Sequence, residues 1–279
     1  MDVDEVAAHG YSEEDMPYLL AEMAMYGFNT YVEEGGSTNI KATVKFIKEA
    51  LSRGSPQDTS YASWLSNAGA YLLNQFRESG DAKDLEEAIQ RLREALDLTP
   101  SGDSDRIDYL NNLGVCLETL YEETAEIKTL EEAIQISRQI TGSTQDYESS
   151  QTPALNNLAN QLGRKYEQMA NLADIEEAIR LAREVVRLTP ADSVEFAGYL
   201  NNLGNKLIRL YDHTHDLEET IRVVRQSAYL MEDEYPDRAA AFSHLRSLLK
   251  RKYKHTGEMR DLDEAILGTI PTSNGMKFR

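Results

Sequence analysis

Four asparagines recur at one register of the sequence and could bind a polypeptide backbone. Asn67, Asn112, Asn157 and Asn202, here called the asparagine row, follow one another at intervals of 45 residues. An amide side chain donates and accepts hydrogen bonds, so it matches the backbone of an extended peptide whatever the peptide's sequence. We therefore predict that the row binds a partner, with hydrogen bonding between neighbouring repeats as the alternative. Such bridging is the favoured prediction for the asparagines that directly precede three members of the row, Asn111, Asn156 and Asn201.

The number of these asparagines argues against chance. Each asparagine inside a helix costs about 0.6 kcal/mol relative to alanine, which gives roughly 4 kcal/mol for the seven together. Typical domains are stable by only about 5–15 kcal/mol. A cost of this size indicates that the amides have a use, in binding or in structure.

Basic residues near the row provide a second candidate site. Arg164 and Arg209 lie seven residues beyond two members of the row, further along the same predicted helices, and are 45 residues apart. With Arg246 they would form a sub-site for acidic side chains or for a C-terminal carboxylate. The alternative is a solvated helix face whose charges complement the helix C-terminus. Five basic residues concentrate in the last repeat, namely Arg246, Lys250, Arg251, Lys252 and Lys254.

Groups able to catalyse a reaction or hold a metal are sparse. The spacing of His213 and His215 resembles that of metal ligands, but both lie in a polar loop without an evident third or fourth ligand. The single cysteine, Cys116, lies in an apolar helical stretch and is predicted to be a buried, inert thiol. No glycine-rich phosphate loop or nucleophile motif is present. The sequence therefore predicts a protein that is not an enzyme and uses no cofactor and no metal.

The elements that must position these residues are written in a repeat of 45 residues. Leu110, Leu113 and Leu117 form the apolar stripe of one amphipathic helix, called helix A. After a polar connection, helix B is predicted to begin at Thr129 as its cap, with acidic residues in its first turn. Repetition of this kind predicts stacked helical hairpins, a solenoid. An aromatic residue closes each helix A and is predicted to fit between repeats: Tyr31, Phe76, Tyr121, Tyr166, Tyr211 and Tyr253.

Small residues predict how closely helices A and B approach each other. Gly69 is paired with Ala88, and Gly114 with Ala133, each pair 19 residues apart. A glycine in the middle of a helix costs roughly 1 kcal/mol relative to alanine, so its recurrence indicates close backbone contact. Prolines also mark helix ends, because Pro100 and Pro190 each follow a Leu-Thr pair at the predicted end of a helix B.

Composition and charge disfavour several classes of partner and location. The net charge is −19 and the pI is near 4.7, which disfavours binding to nucleic acid or to anionic membranes, since both need clustered Lys and Arg. No stretch approaches 18 apolar residues, and the acidic N-terminus lacks the apolar run of a secretory signal. We therefore expect a soluble, cytoplasmic protein.

Three motifs in series resemble the tetratricopeptide repeat. They are Leu-Asn-Asn-Leu-Gly on helix A, Glu-Glu-Ala-Ile on helix B, and the Ala-Leu-x-Leu-x-Pro ending. The period is longer than the usual 34 residues, which resembles kinesin-light-chain-type repeats and the fungal arrays that often precede a caspase-like CHAT peptidase domain. Such a peptidase domain is expected to be absent from this chain. The resemblance covers residues 61–266 well and 18–51 weakly, and fits better than HEAT-like helical pairs.

This resemblance implies the fold and the domain organisation. The fold is expected to be an all-α, right-handed α-solenoid with five clear repeats and one degenerate N-terminal repeat. The solenoid is predicted over residues 18–266, between tails at 1–17 and 267–279. The repeats are expected at about 18–60, 61–105, 106–150, 151–195, 196–237 and 238–266.

The resemblance also implies the function. In tetratricopeptide proteins the asparagines just before the Leu-Gly pair line the concave groove and hold the backbone of a ligand. The leading prediction is therefore a non-catalytic scaffold or adaptor for a protein or peptide partner. One alternative is a self-assembling or regulatory array, a shortened relative of a fungal peptidase-fused protein. Another is an accessory protein or enzyme of a metabolic pathway.

Overall fold

The structure, a computed structural model of the chain, describes residues 12–143, 148–214, 217–231 and 235–267. These residues form twelve α-helices and no strands. In chain order the helices are α1 (Met16–Glu34), α2 (Ser37–Arg53), α3 (Tyr61–Ser79), α4 (Ala82–Leu98), α5 (Arg106–Thr124), α6 (Ile127–Ser143), α7 (Glu148–Met169), α8 (Leu172–Leu188), α9 (Phe196–Thr214), α10 (Leu217–Leu230), α11 (Arg238–Thr256) and α12 (Met259–Leu267).

The helices form consecutive antiparallel hairpins, which confirms the prediction of an all-α array of helical pairs. Odd-numbered helices are the A helices, and each packs against the B helix that follows it. The chain divides into two compact units, residues 1–143 with α1–α6 and residues 144–279 with α7–α12. Within the first unit α3 also contacts α5, and within the second α7 contacts α9. The predicted domain boundaries and the exact number of repeats remain predictions.

Helix boundaries agree with the sequence at the C-terminal ends but not at the start of helix B. α4 and α8 end at Leu98 and Leu188, directly before the Thr-Pro pairs, as predicted. The B helix of the third hairpin begins at Ile127, so the prediction that it starts at Thr129 is wrong by two residues. The start of α4 shows why. Asp81, three residues before the acidic Asp84, accepts a hydrogen bond from the backbone N–H of Lys83 and caps the helix, so the acidic residue lies in the first turn and is not the cap.

The aromatic register marks the end of most A helices through the backbone. The carbonyl of Phe76 accepts a hydrogen bond from the N–H of Gly80, and that of Tyr121 accepts one from Ala125. This closing residue has a left-handed conformation, with φ of 70° at Gly80 and 54° at Ala125. Glycine adopts this conformation without strain, whereas alanine pays for contact between its Cβ and the backbone.

We expect Ala125→Gly to stabilise the protein. Relief of the left-handed strain raises the free energy of unfolding by roughly 1–2 kcal/mol. The greater freedom of glycine in the unfolded chain lowers it by about 0.4–1 kcal/mol. The melting temperature should therefore rise by about 1–4 °C, as measured by circular dichroism. The reverse change at the equivalent position, Gly80→Ala, is the control and should lower it. A lower melting temperature for Ala125→Gly would contradict the strain argument.

The glycines of the A helices lie closest to residues of helix B other than those with which the sequence pairs them. A Cβ on Gly69 would lie 2.5 Å from Cγ of Leu92, so the close approach is to Leu92, one turn beyond Ala88. Gly204 is similarly close to Val224, at 2.9 Å from its Cγ2. Gly114 differs, because a Cβ there would meet only Cγ2 of Ile136 at 3.7 Å, an ordinary contact. Close packing therefore explains Gly69 and Gly204 but not Gly114.

Candidate binding face of the A helices

The asparagine row lies at the boundary between the buried and exposed sides of its A helices. Asn67 on α3 and Asn157 on α7 are exposed, whereas Asn112 on α5 and Asn202 on α9 are half-buried. The neighbours of Asn112 show this placement, because Leu113 is buried and Asn111 is exposed. Two of the four amides are thus open to solvent and to a ligand.

The two half-buried members of the row bridge adjacent repeats. Asn112 donates a hydrogen bond from Nδ2 to Oγ of Ser66 at 3.1 Å. Asn202 donates in the same way to Oδ1 of Asn156, also at 3.1 Å. In both cases the acceptor stands one position before the row in the preceding A helix. The bridging alternative is therefore observed for Asn112 and Asn202, and Ser66 is a bridging residue that the asparagine pattern missed.

A buried lysine lies one turn further along α9. Lys206 is only 3% exposed, and its Nζ donates to Oδ1 of Asn160 at 2.7 Å and to the carbonyl of Asn202 at 3.3 Å. Burial lowers the pKa of Lys206 to about 8, with a further lowering by Arg209 that Glu167 opposes. This cation ties α9 to α7 beside the asparagine row, and sequence reasoning did not identify it.

The register predicts the burial of this position but not its chemistry. The equivalent residues in the two preceding A helices are Cys116 and Gln161, and both are buried. A lysine is seldom buried, so its residue type alone argues against this placement. The signal that could have found it is its position two repeat periods after Cys116, which the sequence predicts to be buried.

The predicted arginines lie on the A helices of the second unit. Arg209 forms an ion pair with Glu167 of the preceding A helix. Arg251 is the equivalent of Arg209 in the last hairpin, 42 residues later, and places its guanidinium 5.4 Å from the ring centroid of Tyr211. Arg164 is half-buried on α7, and Arg246 is exposed on α11. In the second unit, α7 and α9 each carry one asparagine of the row and one of the predicted arginines, and Arg246 lies in the last hairpin. Asn67 and Asn112 belong to the first unit.

Comparisons with solved structures find helical repeat proteins of similar architecture. MamA (residues 41-end) from Desulfovibrio magneticus RS-1 superposes with a TM-score of 0.53 at 15% identity, over 79% of this chain and 100% of that one. A variant of the Podosopora anserina putative kinesin light chain, with nearly identical TPR-like repeats, gives 0.52 at 16% identity, over 75% and 96%. The fold is that of a tetratricopeptide-like repeat protein.

A third structure extends the same likeness. The human IFIT1 dimer with PPP-AAAA gives a TM-score of 0.53 at 16% identity, over 92% of this chain and 52% of that one. No protein-family model matches the sequence, and no curated protein matches it either. At these identities the structural likeness establishes the tetratricopeptide-like fold alone.

The B helices of the tetratricopeptide-like hairpins carry a second periodic set of contacts. A cation on one B helix pairs with a glutamate on the next, 36 or 39 residues later. Surface ion pairs contribute only about 0.2–1 kcal/mol each, but repetition at one register helps to fix how hairpins stack. Sequence reasoning missed this set, although its cations recur at the repeat period. The pairs are Lys48–Glu87 at 2.6 Å, Arg93–Glu132 at 2.7 Å, Arg183–Glu219 at 2.6 Å and Arg225–Glu264 at 2.7 Å.

The remaining group singled out in the sequence that the structure describes is Cys116, which is buried on α5. Burial raises the pKa of the Cys116 thiol to about 12, which keeps it protonated, as expected of an inert thiol. His215 lies outside the described residues, as does the side chain of His213. Over the residues that the structure describes, no group of three or more His, Cys, Asp or Glu side chains could hold a metal ion. In the same part of the chain, no helix is long and apolar enough to cross a membrane.

Proposed function

We propose that this protein is a non-catalytic adaptor that binds an extended segment of a partner protein along the exposed face of its A helices. The observation that carries the proposal is the exposure of Asn67 and Asn157, which stand at one register of two A helices. Each amide is exposed and offers one acceptor and two donors to a peptide backbone. The tetratricopeptide-like fold supports the proposal because stacked hairpins supply extended binding surfaces.

The bridging residues have a supporting part in this proposal. Asn112 and Asn202 hold neighbouring A helices together through Ser66 and Asn156. Within each unit these hydrogen bonds fix the spacing between two neighbouring A helices, one of which carries an exposed amide of the row. Asn112 and Asn202 can still contact a ligand, since each is half-exposed and its side-chain oxygen can accept a further hydrogen bond.

Cations in the second unit suggest which partner segments fit there. Arg164 and Arg209 lie on adjacent A helices, and Arg246 lies on the next one. Arg209 already contacts Glu167, but a guanidinium has five N–H donors and can serve two carboxylates. Acidic side chains or a C-terminal carboxylate of the partner would contact this set. The strong negative charge of the rest of the chain would repel acidic segments elsewhere.

The experiment is a peptide selection followed by affinity measurements. Peptides selected from a random library against the immobilised protein would be measured by fluorescence anisotropy with the wild type and with Asn67→Ala/Asn157→Ala. Losing the hydrogen bonds of two amides should weaken binding about tenfold, because each contributes roughly 0.5–1.5 kcal/mol. The melting temperature should stay unchanged, since both side chains are exposed.

The matched control removes exposed amides from the B helices. Gln135→Ala/Gln226→Ala deletes two exposed side chains away from the asparagine row and should leave the affinity as in the wild type. Equal affinities for the wild type and the Asn67→Ala/Asn157→Ala variant would refute the proposed binding face. Equal losses in both double variants would also refute it.

A further inference from the structure

A register position that is buried inside the array is open to solvent on α1. On α9 this position faces the preceding A helix, since Lys206 contacts Asn160 of α7. On α1 the residue is Tyr26, which is 76% exposed. Its equivalents in the later A helices are at most 4% exposed: Tyr71, Cys116, Gln161, Lys206 and Leu248. α1 therefore presents an aromatic residue that is open to solvent at a position where the later A helices have buried residues.

The first and last A helices carry opposite charge. The sequence of α1 contains three glutamates and no Lys, Arg or Asp. The sequence of α11 contains six Lys and Arg residues and no Asp or Glu. Two α1 faces brought together would place glutamates against glutamates, whereas α1 against α11 pairs acidic with basic surface. Complementary charge thus favours a contact between unlike helices of two copies.

The contacts between internal repeats show how such a contact would be arranged. The Cβ direction of Gly163 points to Cε of Lys206, 3.7 Å away in the next A helix. The equivalents of this pair are Lys250 on α11 and Tyr26 on α1, so the ammonium of Lys250 would lie against the ring of Tyr26. Lys250 is exposed, as is Ser247, the equivalent of Asn160.

A second internal contact supports the same register. The hydroxyl of Tyr31 donates to Oε1 of Glu78 on the following A helix at 3.0 Å. The equivalents of these two residues are Tyr253 on α11 and Glu33 on α1. The same stacking step would therefore let Tyr253 donate to Glu33 of another copy, beside the cation of Lys254.

We propose that copies of this chain associate head to tail, with α1 of one copy stacked on α11 of another in the register of the internal repeats. The occupant of the α1 face is thus a second copy of the chain. A head-to-tail contact uses two different surfaces, so each copy keeps one of them free and can extend the assembly. This association is independent of the adaptor function proposed above.

The test uses two variants, each with one surface removed. Tyr26→Ala/Glu33→Ala removes the α1 surface, and Lys250→Glu/Lys254→Glu reverses the charge of the α11 surface. The readout is mass by size exclusion with light scattering at about 10–300 µM, the range expected for a small interface. The wild type should grow in mass with concentration, and about 0.5 M salt should reverse this by screening the charges.

Mixing the two variants decides between head-to-tail and symmetric contacts. Each variant alone should remain at the monomer mass of 31.5 kDa. Their mixture should form a dimer that grows no further, because only one intact α1 and one intact α11 surface are available. A control, Val194→Ala/Glu176→Ala, changes an exposed apolar and an exposed acidic residue elsewhere and should assemble like the wild type.

Three outcomes would overturn the proposal. The first is a wild type that stays monomeric over the whole concentration range. The second is a dimer abolished by the α1 variant but kept by the α11 variant, which would indicate a symmetric contact between α1 faces. The third is a mixture of the two variants that contains no dimer.

Discussion

Replacement of Lys206 by methionine will stabilise this protein at neutral pH. The side chain is almost fully buried, and burial lowers its pKa from 10.5 to about 8. Each unit of such a shift corresponds to about 1.4 kcal/mol, so carrying the charge costs roughly 3 kcal/mol as an upper bound. Methionine has a similar shape and no charge. Losing the hydrogen bonds to Asn160 and Asn202 offsets part of the gain, and we expect a net gain of about 1–2 kcal/mol.

The gain should depend on pH in a defined direction. Below pH 8 Lys206 is protonated in both the folded and unfolded states, so its destabilising effect is present in full. Between pH 8 and 10.5 the unfolded state binds more protons than the folded state, so the wild type gains stability relative to the variant as the pH rises. The advantage of methionine should therefore be largest at pH 7 and should shrink towards pH 10.5. Glu167 and Arg209, the charged groups acting on Lys206, are the same in both proteins.

Urea denaturation of both proteins from pH 7 to pH 10 measures this difference directly. Other titrating tyrosines and lysines are common to both proteins, so their effects cancel in the comparison. Lys128→Met is the control, because Lys128 is exposed and should change stability by less than about 0.5 kcal/mol at any pH. A less stable methionine variant at pH 7 would show that the hydrogen bonds to Asn160 and Asn202 outweigh the cost of burial. A difference independent of pH would contradict the lowered pKa.

The repeat period predicted the secondary structure because each helix is fixed by local patterning. Leucines at one face place every A helix, and the Thr-Pro pairs end α4 and α8 where expected. The start of helix B was placed two residues late because the acidic residues mark the first turn rather than the cap. A cap is identified by a single side-chain hydrogen bond, such as that of Asp81, and the periodic pattern carries no information about it.

Contacts between repeats were harder to predict because they depend on how one hairpin stacks on the next. The pattern located the asparagine row, but it could not show that Asn112 and Asn202 bridge helices while Asn67 and Asn157 stay exposed. These amides have the same residue type and register. Ser66 and Asn156 supply acceptors to the bridging members, whereas the equivalent position for Asn67 is Ala21, which has no acceptor side chain. For Asn157 the equivalent position is Asn111, an asparagine like Asn156, so residue type does not explain its exposure. The ion pairs between B helices were missed for the same reason.

The glycines of the A helices give the clearest case of identical registers with different packing. A Cβ on Gly69 would lie 2.5 Å from Cγ of Leu92, whereas on Gly114 it would lie 3.7 Å from the nearest atom, Cγ2 of Ile136. Leu92 is fully buried, so it can move only by disturbing the core around it. The same substitution should therefore have opposite effects at the two positions.

We expect Gly69→Ala to destabilise the protein and Gly114→Ala to stabilise it. Alanine gains up to about 1 kcal/mol of helix propensity at either position. At Gly69 overpacking costs about 1–3 kcal/mol and outweighs this gain. The two melting temperatures, measured by circular dichroism, should therefore differ by roughly 3–10 °C. The two sites share their helix register and differ in the space that a methyl group would find. Equal shifts in melting temperature, or a loss of stability for Gly114→Ala, would therefore show that glycine recurs here for a reason other than contact with helix B.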